Sequence, residues 1–193
     1  MRTISHDVGN EIIIKKSKFI CHLYRVNDIE NINNKIDYIN NKYRDATHNC
    51  YAYICGNLKK MSDDKEPSGT AGMPMLNILE MNNLNNILVI VTRYFGGVKL
   101  GANGLVRAYA DSVKEALNLV NIITLTKGYL VEIEFSYDKI KQIDYILKNN
   151  KIINKNFLTN ITYKFESDMN IINELKPYIL NYKIISTIMI ENK

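Results

Sequence analysis

The residues best suited to chemistry lie in Arg93-Tyr94-Phe95-Gly96-Gly97-Val98-Lys99-Leu100-Gly101-Ala102-Asn103-Gly104-Leu105-Val106-Arg107. A strongly apolar run, Ile87 to Val91, delivers the chain into four glycines and an asparagine, and a helical pattern follows. Gly, and less readily Asn, can take φ > 0, which lets backbone N–H groups turn toward one point. With a helix N-terminus behind it, Gly96, Gly97, Gly101, Asn103 and Gly104 have the makings of an anion cradle. Lys99 and Arg107 would supply charge, and a guanidinium can hold a phosphate through two parallel hydrogen bonds. The segment is neither a Walker loop nor a dinucleotide fingerprint. The alternative is that its glycines only let helix and strand pack closely.

A second candidate is Asp63-Asp64-Lys65-Glu66-Pro67-Ser68-Gly69-Thr70. Three carboxylates within four residues could hold a divalent cation or do acid–base work. The alternative is a solvated acidic turn ending in Pro-Ser-Gly-Thr. His48 and Cys50 would point to one face of a strand. Their spacing fits no structural zinc pattern, and His48 is poorly placed to activate a Cys50 nucleophile. No G-x-S-x-G and no H-E-x-x-H occur. The sequence therefore assigns no catalytic residue, no metal ligand and no cofactor.

Elements must position these residues. Residues 11–26 read as β, with Phe19, Cys21 and Leu23 in alternation. Asp28 is placed to cap a helix carrying Ile29, Ile32, Ile36, Ile39 and Tyr43 on one face. Ala46 to Cys55 alternates again, and residues 59–72 read as a polar loop. A short helix is expected from Met73 to Met81, a strand buried on both faces from Asn86 to Tyr94, and a helix from Gly104 to Val120. In the last third, Val131, Ile133 and Phe135 alternate, Asp138 is expected to cap a helix, and two strands meet near Leu158. Asp168 should cap another helix, and Lys183 to Ile190 is the last strand. That β-α-β-β-α-β order is the ferredoxin-like signature.

The 193 residues allow one domain or two small ones. With 46% hydrophobic and 23% charged residues, disorder and fibrous structure are excluded. No apolar run is long enough for a membrane helix, and the first residues lack the apolar core of a secretion signal. Three Cys without a C-x-x-C point to a reducing cytoplasm. A net charge of +5 is mild and spread over the whole chain. The composition is skewed to 29 Ile and 26 Asn, with 20 Lys against 5 Arg, as a codon bias toward A and T would produce. Lys and Asn are therefore weak signals here, and Gly and Arg are the informative ones.

Several stretches resemble the IMPACT/YigZ family. They are Lys16-Ser17-Lys18-Phe19-Ile20, Ala46 to Ala52, Asp63 to Gly72 with Pro74, and Arg93 to Gly101 continuing through Leu105-Val106-Arg107-Ala108-Tyr109, in the family's order. The resemblance implies an α+β chain of two domains. The amino-terminal domain, 1–126, would be similar to domain 2 of ribosomal protein S5. The carboxyl-terminal ferredoxin-like βαββαβ domain, 127–193, would resemble the last domain of the translocation elongation factor. Eukaryotic members regulate translation initiation, largely through an extra RWD domain. Here the family core begins almost at residue 1, so the expectation is a bacterial YigZ-like core without that domain. Three positions depart from the family pattern: Lys65 where Gly is usual, Met73 where a basic residue often precedes Pro74, and Asn103 where Gly is usual.

The leading functional expectation is a translation-associated binding protein that contacts RNA or a ribosome-associated protein through the Gly-rich basic turn. Nothing in the sequence points to DNA specificity or to a membrane. An alternative is an enzyme or small-anion-binding protein in which His48, Asp64, Glu66, Arg93, Lys99 and Arg107 share one cleft. Ser68 and Thr70 are further ligand- or partner-binding candidates. A third reading is a protein–protein regulator using Tyr51, Tyr53, Tyr94, Phe95 and Tyr109 as aromatic anchors, unless these are core.

Overall fold

The computed structural model describes residues 1–191. It is a mixed α+β chain of two compact units, the first Met1–Ile123 and the second beginning at Thr124.

In the first unit, β2 (Val8–Ile14), β3 (Ser17–Arg25), β4 (His48–Cys55), β5 (Leu58–Ser62) and β6 (Ile87–Tyr94) form an antiparallel sheet in the order β2-β3-β6-β4-β5. Helices α2 (Gly72–Met81) and α3 (Ala102–Asn118) cover one face, packing Met75, Leu79, Leu105, Tyr109 and Val113 on Phe19, Cys21, Cys50, Val89 and Val91. Helix α1 (Ile29–Lys42) covers the other face with Ile32 and Ile39 against Tyr53, Leu88 and Ile90. Strand β6 is central and covered on both sides, so its first seven residues are all buried. That is the physical reason for its continuous apolar run. Asp28 caps α1 as expected, accepting a 2.7 Å bond from Asn31 N.

The segment 11–26 is not one strand. Lys15 and Lys16 take φ +45° and +65° and split it into the hairpin β2–β3. Such two-residue turns favour Asn-Gly, so a Lys-Lys pair gives no turn signal. Strand β5 lies where a loop was expected, because an edge strand can carry Lys59 and Lys60 on open ground. A three-residue strand, β1 (Arg2–Ile4), is too short to show a periodicity in the sequence; just after it, Ser5 N donates to Asn121 O at 2.9 Å.

Strand β7 (Ile122–Phe135) leads into the second unit. There α4 (Ile140–Ile146), β8 (Lys151–Phe157), β9 (Ile161–Ser167), α5 (Met169–Leu175) and β10 (Asn181–Glu191) follow, and the strand order is β10-β7-β9-β8, all antiparallel. This is the ferredoxin-like arrangement read from the order of elements. Val131, Ile133, Phe135, Tyr163 and Phe165 meet Ile143, Leu147, Ile172 and Leu175 in its core. Asp168 caps α5 through Ile171 N at 3.0 Å. Asp138 does not cap α4. The chain enters that helix through a 3-10 turn, Tyr137–Lys139, and Asp138 inside it bonds Ser136 and Lys139 instead.

On the α1 face of the first unit, His22 stacks near Tyr24 and Tyr43, and its Nε2 is buried without a partner. Burial, reinforced by the positive charge of Lys42, lowers its pKa from 6.5 to about 4. Between pH 6.5 and 4 the unfolded chain binds a proton there that the folded chain refuses, so stability falls as pH falls through that window. Replacing His22 by Gln should flatten this part of the stability profile, measured as the thermal midpoint across that pH range relative to wild type. Parallel profiles would mean that His22 does not contribute.

Candidate functional site

Three strands bring one row of residues together. Phe19 of β3, Arg93 of β6 and His48 of β4 are neighbours in register, and the next row holds Cys21, Val91 and Cys50. All of these face α2 and α3. Arg93 is 5% exposed and Glu66 is 7% exposed, and they form an ion pair at 2.6 Å between Nη1 and Oε1. The Tyr109 hydroxyl, from α3, donates to the same oxygen at 2.9 Å. Glu66 Oε2 faces His48 Nε2 at 3.7 Å. His48 Nδ1 lies 2.7 Å from the carbonyl of Asp64, which can only accept, so that ring nitrogen carries a proton. The second amino group of Arg93 reaches Ser17 Oγ at 3.4 Å, its Nε is buried without a partner, and its guanidinium carbon lies 5.5 Å from the ring centroids of Phe19 and Phe95.

The carboxylates of the acidic segment diverge. Asp63 accepts from the backbone N–H groups of Gly69, Ala71 and Gly72 at 2.8–3.0 Å, fixing the Pro67–Thr70 loop and the start of α2. Asp64 accepts from Asn49 N at 2.6 Å. Glu66 turns inward to Arg93. The three carboxylates thus serve separate sets of partners, and among the described residues no group of three or more His, Cys, Asp and Glu is placed to hold a metal ion. Thr70 is buried and donates to Pro67 O at 2.6 Å, whereas Ser68 is exposed. Cys50 Sγ lies 3.0 Å from Asp63 O and 3.3 Å from the Tyr109 hydroxyl. Burial pushes its thiol well above the ordinary range, so it stays protonated and packs as a small apolar group. Burial, with Cys50 and Glu66 alongside, likewise keeps Tyr109 protonated.

The Gly-rich turn divides into two parts. Gly96 packs against the β2–β3 turn: a Cβ there would lie 2.0 Å from the carbonyl carbon and oxygen of Lys16, and Gly96 N donates to Ser17 Oγ at 3.2 Å. Gly97 and Gly101 take φ +80° and +74° in open space. Helix α3 starts at Ala102, two residues earlier than expected, so Asn103 and Gly104 belong to its first turn and not to the loop before it. Lys99 and Arg107 are exposed, and neither makes a hydrogen bond or ion pair with a described residue. The structure thus joins His48, Asp64, Glu66 and Arg93 in a buried brace, and leaves Lys99, Gly101, Asn103 and Arg107 on the surface. Of the aromatic anchors, Tyr53 and Tyr109 are core and Phe95 is 47% exposed. Sequence reasoning missed Asp63, Ser17 and Asn49 as positioning residues; the run of N–H groups after Gly69 was the signal for Asp63.

The Impact N-terminal domain family matches residues 15–117, more than half of the chain and all of the brace. The chain belongs to the IMPACT family. It is 38% identical over 189 residues to the IMPACT family member YvyE of Bacillus subtilis, covering 94% of this chain and 87% of that protein. It is 35% identical over 153 residues to the IMPACT family member YigZ of Escherichia coli, covering 75% and 74%. A solved structure described as a hypothetical protein superposes with a TM-score of 0.64 at 29% identity, over 91% of this chain and 89% of that one. As an IMPACT protein the chain departs from the expected Asp-Asp-Gly-Glu-Pro at Lys65, and Lys65 takes φ +67°.

A lysine in that conformation is strained by about 1–2 kcal/mol relative to glycine. Lys65→Gly should therefore raise stability by about 0.5–1 kcal/mol once the extra freedom of the unfolded glycine is deducted, read by urea unfolding. Glu66→Gln leaves the Arg93 charge buried without its counter-charge and should cost about 3 kcal/mol or more. Adding Arg93→Met should restore a large part of that loss. A strictly additive double variant would mean that the two side chains are not coupled.

Proposed function

We propose that this chain is a translation-associated regulatory protein that binds RNA phosphates at the turn from Gly96 to Arg107. The observation that carries the reading is the state of Lys99 and Arg107. Both are exposed and unpaired among the described residues: Lys99 lies just before the long helix α3 and Arg107 in its second turn. The first turn of α3 has no acidic residue, and its N-cap, Gly101, offers no side chain to the free N–H groups. Uncommitted cations at a positive helix end favour an anion. The family resemblance, with domain types that recur in ribosomal and translation proteins, makes RNA the anion of choice, and three free cysteines suit a cytoplasmic setting. The enzyme reading is not favoured, because the groups that would do acid–base work are engaged: Glu66 Oε1 holds Arg93 and Tyr109, and Oε2 faces His48.

A complex held by phosphate contacts weakens steeply with salt. Lys99→Ala and Arg107→Ala should each lower the slope of log affinity against log salt by about one and weaken binding across RNA sequences alike. Fluorescence anisotropy with labelled ribosomal RNA fragments at several salt concentrations measures both. Affinity that ignores salt, or that is unchanged in the double variant, overturns the reading.

A further inference from the structure

We infer that Phe95 is a base-stacking platform for single-stranded RNA, and that Lys15 and Lys16 at the tip of the β2–β3 hairpin hold the phosphates beside it. The inference rests on the RNA reading above and adds a second contact region. Phe95 is a large apolar side chain left 47% exposed at the end of a strand that is otherwise buried. It is not loose. Its backbone N–H donates to Thr47 Oγ1 at 3.0 Å, and the buried Arg93 guanidinium backs its ring 5.5 Å from the centroid. A ring supported on one side and open to solvent on the other is a stacking surface, and every base has a face that can stack there.

The hairpin tip adjoins this ring. The next residue, Gly96, leaves no room for a Cβ against the Lys16 backbone, so the tip of the hairpin is held against the chain directly after Phe95. Both are exposed, and no described residue forms an ion pair or hydrogen bond with either. Lys99 follows Phe95 by four residues on the other side of the turn. An aromatic face flanked by unpaired ammonium groups is suited to an unpaired base with its neighbouring phosphates. An apolar protein partner would instead bury these three charges without counter-ions.

The chain contains no Trp, so Phe95→Trp introduces a single fluorophore at the platform while keeping the cover over Arg93. Titrating this full-length variant with a short oligouridylate should quench the indole emission. Inorganic polyphosphate, which has charge but no bases, should bind without quenching. Phe95→Leu should weaken oligouridylate binding about tenfold and leave polyphosphate binding unchanged. Lys15→Ala with Lys16→Ala should lower the salt slope by about two. Because Phe95→Leu uncovers Arg93, its thermal unfolding is checked, and the indole signal decides if that variant is unfolded. Binding of oligouridylate without quenching overturns the platform. So does the case in which Lys99 and Arg107 variants lose affinity while Phe95, Lys15 and Lys16 variants do not, although the proposed function then stands. Absence of any RNA binding by wild type overturns both.

Discussion

A guanidinium and a carboxylate removed from water must find each other and every remaining partner, or the cost of desolvation is not recovered. Arg93 and Glu66 come close to that condition, with Arg93 Nε the one guanidinium nitrogen left buried and unpartnered, because five parts of the chain converge. Strand β6 supplies Arg93, β4 supplies His48, β3 supplies Ser17, α3 supplies Tyr109, and the loop after β5 supplies Glu66. Asp63 and Asp64 serve the same end by holding that loop to α2 and to β4. No one of these elements can shift without leaving a buried charge or a buried donor unpaired. The brace therefore fixes the point at which the chain leaves β6, and with it Phe95 and Gly96.

Rigidity beneath and freedom above divide the charged residues into two groups. The inner group is engaged mainly with itself, Arg93 Nε excepted, and has little capacity left for a ligand. The outer group has no internal partner to release before it binds one, so it meets an anion without first breaking a contact. The two groups are adjacent in sequence, and composition alone treats them alike. Burial separates them: Arg93 is 5% exposed, whereas Lys99 and Arg107 face solvent.

The readable parts of the sequence were those in which one physical rule dominates. The buried run of β6, the caps at Asp28 and Asp168, and the strand order of the second unit each follow from periodicity or from a single side-chain bond. The unreadable parts were decided by geometry over longer range. Asp138 has the right type for a cap, yet a 3-10 turn places it one step inside the helix entrance. The acidic segment looks like a charge cluster, but its three carboxylates are drawn to three different partners, none of them near in sequence to all the others. Helix α3 starts before the position its local residues suggest: Gly and Asn discourage a helix, while packing of Leu105 and Tyr109 on the sheet carries it back to Ala102.

The least expected feature is where the left-handed backbone falls. Lys15, Lys16, Asp64, Lys65, Asn83 and Asn86 all take positive φ, at positions where glycine would be free of strain. A composition rich in Lys and Asn explains why such residues are at hand, but not why the fold tolerates them. At Lys65 the tolerance comes from its neighbours, because Asp64 and Glu66 on either side are bound to β4 and β6. At Lys15 and Lys16 it comes from the close approach of Gly96 and from the Ser17 hydroxyl that ties the two turns together. In both places the strained residue is a lysine whose charge stays in solvent while its backbone is held by the buried network. The strain is thus offset by the same brace that orders the surface.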